Sequence, residues 1–396
     1  MKNGKGTLAH RISEEDEDYA FFSQLLLNEK PIIQGKYPIC PTCAGMLATG
    51  YGIENINSPE LKKVRECMNS EYKGIMNAVE SLKPLLCLLT DGYYVLADVK
   101  LYPSDGQGAF FSLVPNELTY NEASCSEYYD SDFLCSVEGY PAYIYPTQSS
   151  ELIHEERVDE YIQIMKNGSN MPRGLAYYEK GFVCALLDGH HKACAASALG
   201  KRLNCLTIIA PDSFQFVKGA KYSDGDTLIE KVGFAGIIIE TEPGAKMKDY
   251  VPVKGVKQKQ LNISVYNLTG RKLPERYIST YPTIQTLAGI INSEVDLSGN
   301  VVEYAKSLLL SRDEENVIKL DYLMRYLSES CKEKAYSIAK MILDEDDEFL
   351  LQLPRKSAIK ELLKHRNEET EQYMINYMVN HDYRDGCWEL VNSYWA

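Results

Sequence analysis

The sequence predicts an α/β (α+β) module at the centre of a longer chain. A Cys- and Tyr-rich α+β region precedes it, and a β-rich segment and an all-α helical C-terminal domain follow. Three observations predict this. Residues 142–210 read in the order strand, helix, strand, strand, helix, strand. From about residue 296 onward, apolar residues recur at helical spacing to the end. The chain has 396 residues, more than one hydrophobic core usually holds, so several domains are expected. The boundaries read as a lead-in over 1–30, the Cys/Tyr-rich region over 31–141, the module over 142–210, a β-rich extension over 211–295 and the helical domain over 296–396.

Residues 1–30 look like an acidic lead-in with one amphipathic stretch, DYAFFSQLLLNEK. The next region opens with YPICPTCAG and contains one helix candidate, SPELKKVRECMNSEYKGIMNAVESL, with Ser58 as N-cap and Pro59 at the first helical position. GYYVLADVKLYPSDGQGAFFSLV then reads as a hairpin. In the module, AYIYP is a short strand. ELIHEERVDEYIQIMKNG is an amphipathic helix with Val158, Ile162 and Met165 on one face, and Gly168 can end it in the left-handed conformation. GLAYYEKGFVCALLDG gives two strands, HHKACAASALG a helix stopped by Gly200, and LNCLTIIAP the last strand. Past 296, NVVEYAKSLLLS, ENVIKLDYLMRYLSES, KEKAYSIAKMILD, SAIKELLKHR and EETEQYMINYMVNHDY are helices. Trp388 and Trp395 are expected to pin the last helix to its neighbour.

The net charge of −14 argues against a protein that coats nucleic acid with its whole surface. No apolar run reaches the length of a membrane span, and the N-terminus lacks the apolar core of a secretory signal. Eleven cysteines lie scattered, several (Cys184, Cys194, Cys205, Cys331) inside expected strands or helices. That pattern suits reduced thiols and a cytoplasmic protein.

The stretch LLDGHHKACAASALG carries the chemistry. Leu186 and Leu187 end a buried strand, Gly189 permits a tight turn, and a helix starts at His190. The first amides of that helix have no partner within it, and the macrodipole adds partial positive charge, so an anion is the natural occupant. Gly189, His190, His191 and Lys192 form the expected phosphate cradle, with the side chains of His191 and Lys192 as added donors; the alternative is a turn whose histidines merely cap the helix and pack under a loop. Asp188 repels a bare phosphate. It points elsewhere, binds magnesium or accepts a substrate proton as the catalytic acid/base.

This stretch, preceded by HEERVDEYIQIMKNGSNMPRGLAYYEKGFVC, resembles the ParB/sulfiredoxin-like superfamily, in particular its members with a DGHHR signature. The resemblance covers residues 142–210. It implies that the turn cradles nucleotide phosphates. Sulfiredoxins carry a Gly-Gly-Cys-His-Arg turn; here His190 stands in the cysteine's place, which argues against sulfinic-acid reduction. ParB proteins carry a Gly-Glu-Arg-Arg box; His-His-Lys here argues against a CTP switch. The fold also includes free-serine kinases, so ATP-dependent phosphoryl transfer stays open, with Glu155 and Glu156 as further candidate bases or magnesium ligands.

Two other features stand out. Cys40 and Cys43 have knuckle spacing for a structural zinc, with Cys67 as a candidate third ligand; a reduced loop pair is the alternative. Residues 246–276 hold eight Lys or Arg (246, 248, 254, 257, 259, 271, 272, 276) against Asp249 and Glu275. This is a nucleic-acid contact or, more simply, the solvated face of a hairpin. The leading expectation is a nucleotide- or phosphate-binding protein. As an enzyme it would be an ATP-dependent phosphotransferase or NTPase using Mg2+. The rival is a non-enzymatic DNA-associated or protein-docking scaffold whose helical C-terminal domain meets a protein partner.

Overall fold

The computed structural model describes residues 4–15, 20–28, 30–38, 46–49, 62, 65–66, 68–69, 71–90, 94–103, 141–148, 150–168, 171–180, 182–209, 231–234, 237–240, 273–311, 313–345, 352–381, 383–384 and 386–396. The chain divides into two compact units, Met1–Tyr281 and Pro282–Ala396. Among the described residues no helix is long and apolar enough to cross a membrane.

The first unit opens with an antiparallel meander of β1 (Leu8–Glu15), β2 (Ala20–Leu27), β3 (Lys30–Pro38) and β4 (Met46–Thr49), hydrogen-bonded in that order. The expected lead-in over 1–30 is therefore mostly sheet. Its acidic residues do not mark a free tail: Glu14 and Glu15 pair with Phe21 and Ala20 at the far end of the first hairpin. The single long helix expected from Ser58 is also corrected. Lys62, Arg65, Glu66 and Met68 are helical, but Gly74 has φ 100, which no helix tolerates, and α1 (Ile75–Leu86) starts after it. Cys40, Cys43 and Cys67, and the second run of the expected hairpin, lie outside the described residues.

The module has the order read from the sequence. β5 (Val95–Leu101) and β6 (Tyr143–Pro146) precede α2 (Glu155–Lys166); β7 (Gly174–Lys180), β8 (Val183–Asp188), α3 (His190–Ala198) and β9 (Leu203–Ile209) follow. They make a five-stranded mixed sheet in the order β5-β9-β7-β8-β6. β8 pairs antiparallel with β7 and parallel with β6, so it is buried on both flanks, as its unbroken apolar run requires. Ile144, Ala176, Cys184, Leu186, Leu203 and Cys205 face one core with Val158 and Tyr161 of α2 and Ala193–Ala196 of α3. Period-two alternation sends Tyr177, Ala185 and Leu187 to the opposite face, where the His10 ring meets Tyr177 edge-on at 6.1 Å. Gly168 and Gly200 adopt φ 68 and 60 at the helix ends expected of them. The cysteines Cys184, Cys194 and Cys205 are unpaired and buried.

A hairpin of β10 (Lys231–Phe234) and β11 (Ile237–Glu240) is described in the 211–295 segment. The expected β-rich extension does not run to 295. The helical unit begins at Pro282, and α4 (Ile284–Asn292) occupies the end of that segment. Its start was written in the sequence as Thr283, whose hydroxyl accepts from the Thr286 amide at 3.1 Å. Removing this cap in Thr283→Ala should cost the helical unit about 1 kcal/mol. Urea unfolding followed by far-ultraviolet circular dichroism reads it, and an unchanged midpoint would show the cap to be redundant.

The five later helices appear where periodicity put them: α5 (Val301–Ser311), α6 (Glu314–Ser330), α7 (Lys332–Leu343), α8 (Gln352–Leu362) and α9 (Glu368–Asn380). Leu320, Leu323, Met324 and Leu327 of α6 pack with Ala335, Ile338, Ala339 and Ile342 of α7 and Ala358, Ile359 and Leu362 of α8. A short α10 (Trp388–Asn392) ends the unit. Its anchors are Val391 and Tyr394, which are buried; Trp395, expected to pin it, is 45% exposed.

Candidate functional site

The site begins with a close approach of two backbones. Gly189 caps α3 at φ 105 and ψ 23, and a Cβ there would lie 3.1 Å from the Cα of Gly174. A Cβ on Gly174 would in turn meet the Cys205 sulfur at 2.8 Å. The pair of glycines lets the mouth of α3 rest on the start of β7. Gly189→Ala combines a left-handed backbone with that contact, so it should destabilise the first unit by about 2–4 kcal/mol. A urea midpoint within error of wild type would refute the strain.

Arg173, beside Gly174, is held hard. Its guanidinium forks onto Asp98 of β5, with Nε 3.0 Å from Oδ1 and Nη2 2.8 Å from Oδ2, and lies 4.1 Å from the Tyr72 ring centroid. This fixes the Arg173 carbonyl, which becomes an acceptor for the site.

The side chains expected to hold phosphate are spent inside the fold. His190 is 4% exposed, and its Nε2 accepts the Thr147 amide at 3.0 Å. The Thr147 hydroxyl donates to the Leu186 carbonyl at 2.6 Å, which closes the end of β6 onto β8. His191 Nε2 accepts the amide of His154, the residue that precedes α2, at 3.0 Å, and the two imidazoles stack 5.8 Å apart. Because both rings accept through Nε2, both are neutral with the proton on Nδ1. Burial drives the His190 pKa down to about 3, with help from His191 and Arg65. Burial drives His191 to about 4, with Arg157, His154 and Lys192 adding to it.

Lys192 is 1% exposed. Its ammonium donates to the Met68 carbonyl at 2.7 Å and the Arg173 carbonyl at 3.0 Å, and it lies 3.8 Å from Asp188 Oδ2. Burial lowers its pKa against the opposing pull of Asp188. The expected direct grip of Lys192 on a phosphate is thus replaced by a tie between α3, β7 and the segment around Met68.

What remains open at the α3 mouth is different. The amides of His191 and Lys192 find no acceptor among the described residues. The Asp188 carboxylate keeps 19% of its side-chain surface in solvent. Burial raises its pKa, while Lys192, Arg65 and Arg157 pull it down. Arg157 and Tyr161 of α2 both donate to Asn69 Oδ1, at 3.3 and 3.2 Å. Arg65 and Arg157 therefore bring two exposed guanidinium groups into the field of Asp188 and the two histidines. Sequence reasoning missed both. Arg157 was legible as a cation near the start of the helix that His191 caps, but Arg65 enters through a segment with no pattern linking it to the turn.

Other expected residues go elsewhere. Glu155 pairs with Arg276 at 3.2 Å, beside Asp159 at 3.3 Å, so it is engaged in holding the 3-10 turn Glu275–Tyr277 against α2. Arg276 also donates to the Tyr277 hydroxyl at 2.7 Å, which removes it from the expected basic surface. The rest of the 246–272 stretch lies outside the described residues. Among the described residues no three His, Cys, Asp or Glu side chains gather as they would around a metal ion. Compared with protein-family models, with curated proteins and with solved structures, the chain matches none.

Proposed function

We propose that the mouth of α3 binds a phosphate-bearing ligand, with a nucleotide as the first candidate. The observation that carries this reading is a helix mouth where the amides of His191 and Lys192 have no acceptor among the described residues, in the electrostatic field of Arg65 and Arg157. Gly189 sets the turn, His190 and His191 brace it as neutral acceptors, and Lys192 holds it from beneath. In an ATP-dependent phosphotransferase or NTPase, Asp188 is the group that would hold Mg2+ or take a proton, and its raised pKa suits the second role. Unpaired buried cysteines support a cytoplasmic protein. Cys40, Cys43 and Cys67 remain our candidate zinc ligands; metal analysis should return about one zinc per chain, lost in Cys40→Ser.

A thermal-shift panel of ATP, ADP, CTP, GTP and phosphate, with and without Mg2+, tests the site. Ligand at about 100 times its Kd should add about 2.7 kcal/mol to the folded state. Arg65→Ala combined with Arg157→Ala should erase the rise while leaving the unliganded midpoint nearly unchanged, because both side chains are exposed. No rise with any of the panel would end the proposal. Lys192→Ala is the wrong variant for this purpose, since it undermines the fold.

A second reading, a docking platform for a protein partner, is favoured by one observation in the helical unit. Ile375, Val379 and Trp395 are large apolar side chains exposed at 40, 77 and 45%. Association with DNA has weaker support here, because Arg276, the described member of the basic stretch, is tied to Glu155 and Asp159.

A further inference from the structure

The exposed apolar residues of the helical unit form a groove rather than a scatter. Ile375, Met378 and Val379 of α9, Asn392 of α10 and Trp395 line a groove of about 330 Å³. A solvated helix normally turns polar residues outward. On α9 Thr370, Met374 and Tyr377 point inward, and Met378 packs at the edge of the core. Ile375 and Val379 are one turn apart on the outer face and lie outside the core cluster.

The charges on the outer face of α9 beside the groove are acidic. Glu368 and Glu371 stand on the same outer face of α9, seven and four residues before Ile375 at helical spacing, and Glu389 stands one turn before Asn392. All three are exposed, and no ion pair involves them among the described residues. Of the cations in this unit, Lys340 is neutralised by a carboxylate, while Arg366 and Arg384 keep their charge on the Tyr394 and Tyr383 side. Lys340 pairs with Glu369 at 2.8 Å, Arg366 donates to the Tyr394 carbonyl and covers its ring, and Arg384 lies over Tyr383.

We propose that this groove takes an amphipathic helix of a partner protein, with an apolar stripe for Ile375, Val379 and Trp395 and lysines or arginines toward Glu368, Glu371 and Glu389. Charge decides the occupant. A second copy of this chain would bring its own carboxylates against these, and like charges across an interface oppose pairing. A helix with apolar residues at i, i+3/i+4 and i+7 matches the outer face of α9, whose 13 residues span about 20 Å. The inference rests on the docking reading above and adds the chemistry of the partner.

The test uses the full chain and three designed helical peptides of about 18 residues. They share one apolar stripe and differ only in a Lys-, Gln- or Glu-bearing polar face. The chain has two tryptophans, one of them in the groove, so a blue shift of emission reports occupancy beside peptide anisotropy. The Lys-faced peptide should bind roughly tenfold tighter than the Gln-faced one at low salt, and the margin should shrink as salt rises. Val379→Asp should abolish binding, and Glu371→Lys should remove the margin; both positions are exposed, so circular dichroism should stay unchanged. Equal binding of all three peptides would overturn the cationic partner and leave the docking reading standing. No binding by any would overturn both. A dimer seen by sedimentation and broken by Val379→Asp would assign the groove to a second copy, against this proposal.

Discussion

Lys192→Met should destabilise the first unit by about 3–5 kcal/mol. The substitution keeps most of the length of the unbranched side chain and removes the donors that satisfy the Met68 and Arg173 carbonyls. It also leaves Asp188 recessed without its counter-charge. Urea denaturation of the full chain, with limited proteolysis to assign the transition to the first unit, measures the loss. Adding Asp188→Asn should return part of it, because the two groups are coupled and one defect then cancels the other. A loss below about 1 kcal/mol would show that the ammonium is not what holds α3 to β7.

Acid should unlock the same region well before ordinary carboxylate titration. His190 and His191 have folded pKa values of about 3 and about 4, both depressed from 6.5. Below 6.5 the unfolded chain binds protons that the folded chain refuses, so stability falls as pH drops from 6.5 toward those values and is fully present above 6.5. At pH 5 His190 alone withdraws roughly 2 kcal/mol, and His191, partly open to solvent, withdraws less. Asp188 acts with the opposite sign, since its raised pKa favours protonation in the fold, and it blunts the loss at the lower end of the window. His190→Gln and His191→Asn replace the ring acceptors with amide oxygens that do not titrate. They should flatten the dependence of the urea midpoint on pH between 6.5 and 5, and an unchanged slope would sink the assignment.

Much of the scaffold was legible in the sequence, for local reasons. The order of strands and helices from 143 to 209 follows from runs of two clear periods punctuated by Gly168, Gly189 and Gly200. The helices from 301 onward were equally plain because each carries its own apolar face, and Asp313 and Asn367 cap two of them; the helix capped by Thr283 was not read. The direction of Lys192 was not read, although the signal was present. HHKACAASALG has no polar face to offer, so a helix of that composition is buried all round and its lysine goes in with it. The roles of Met68, Asn69 and Arg65 were out of reach, because they arise from a segment more than a hundred residues away whose approach no local pattern encodes. Trp395 misled in the other direction. A bulky aromatic near a chain end looks like an anchor, yet Tyr394 took that place and turned its neighbour outward.

The strand pairing also constrains how the protein can be made. Among the described residues β5 finds its antiparallel partner only in β9, with Val95 opposite Ile209 and Leu101 opposite Leu203. A ribosome adding about 5–20 residues per second needs on the order of ten seconds to deliver that partner. Throughout that interval the β9-facing edge of β5 waits as an adhesive, unsaturated strand in the growing chain. Nascent copies on neighbouring ribosomes then compete with the correct mate, and slowing translation between these two strands should raise aggregation more than slowing it within the helical unit.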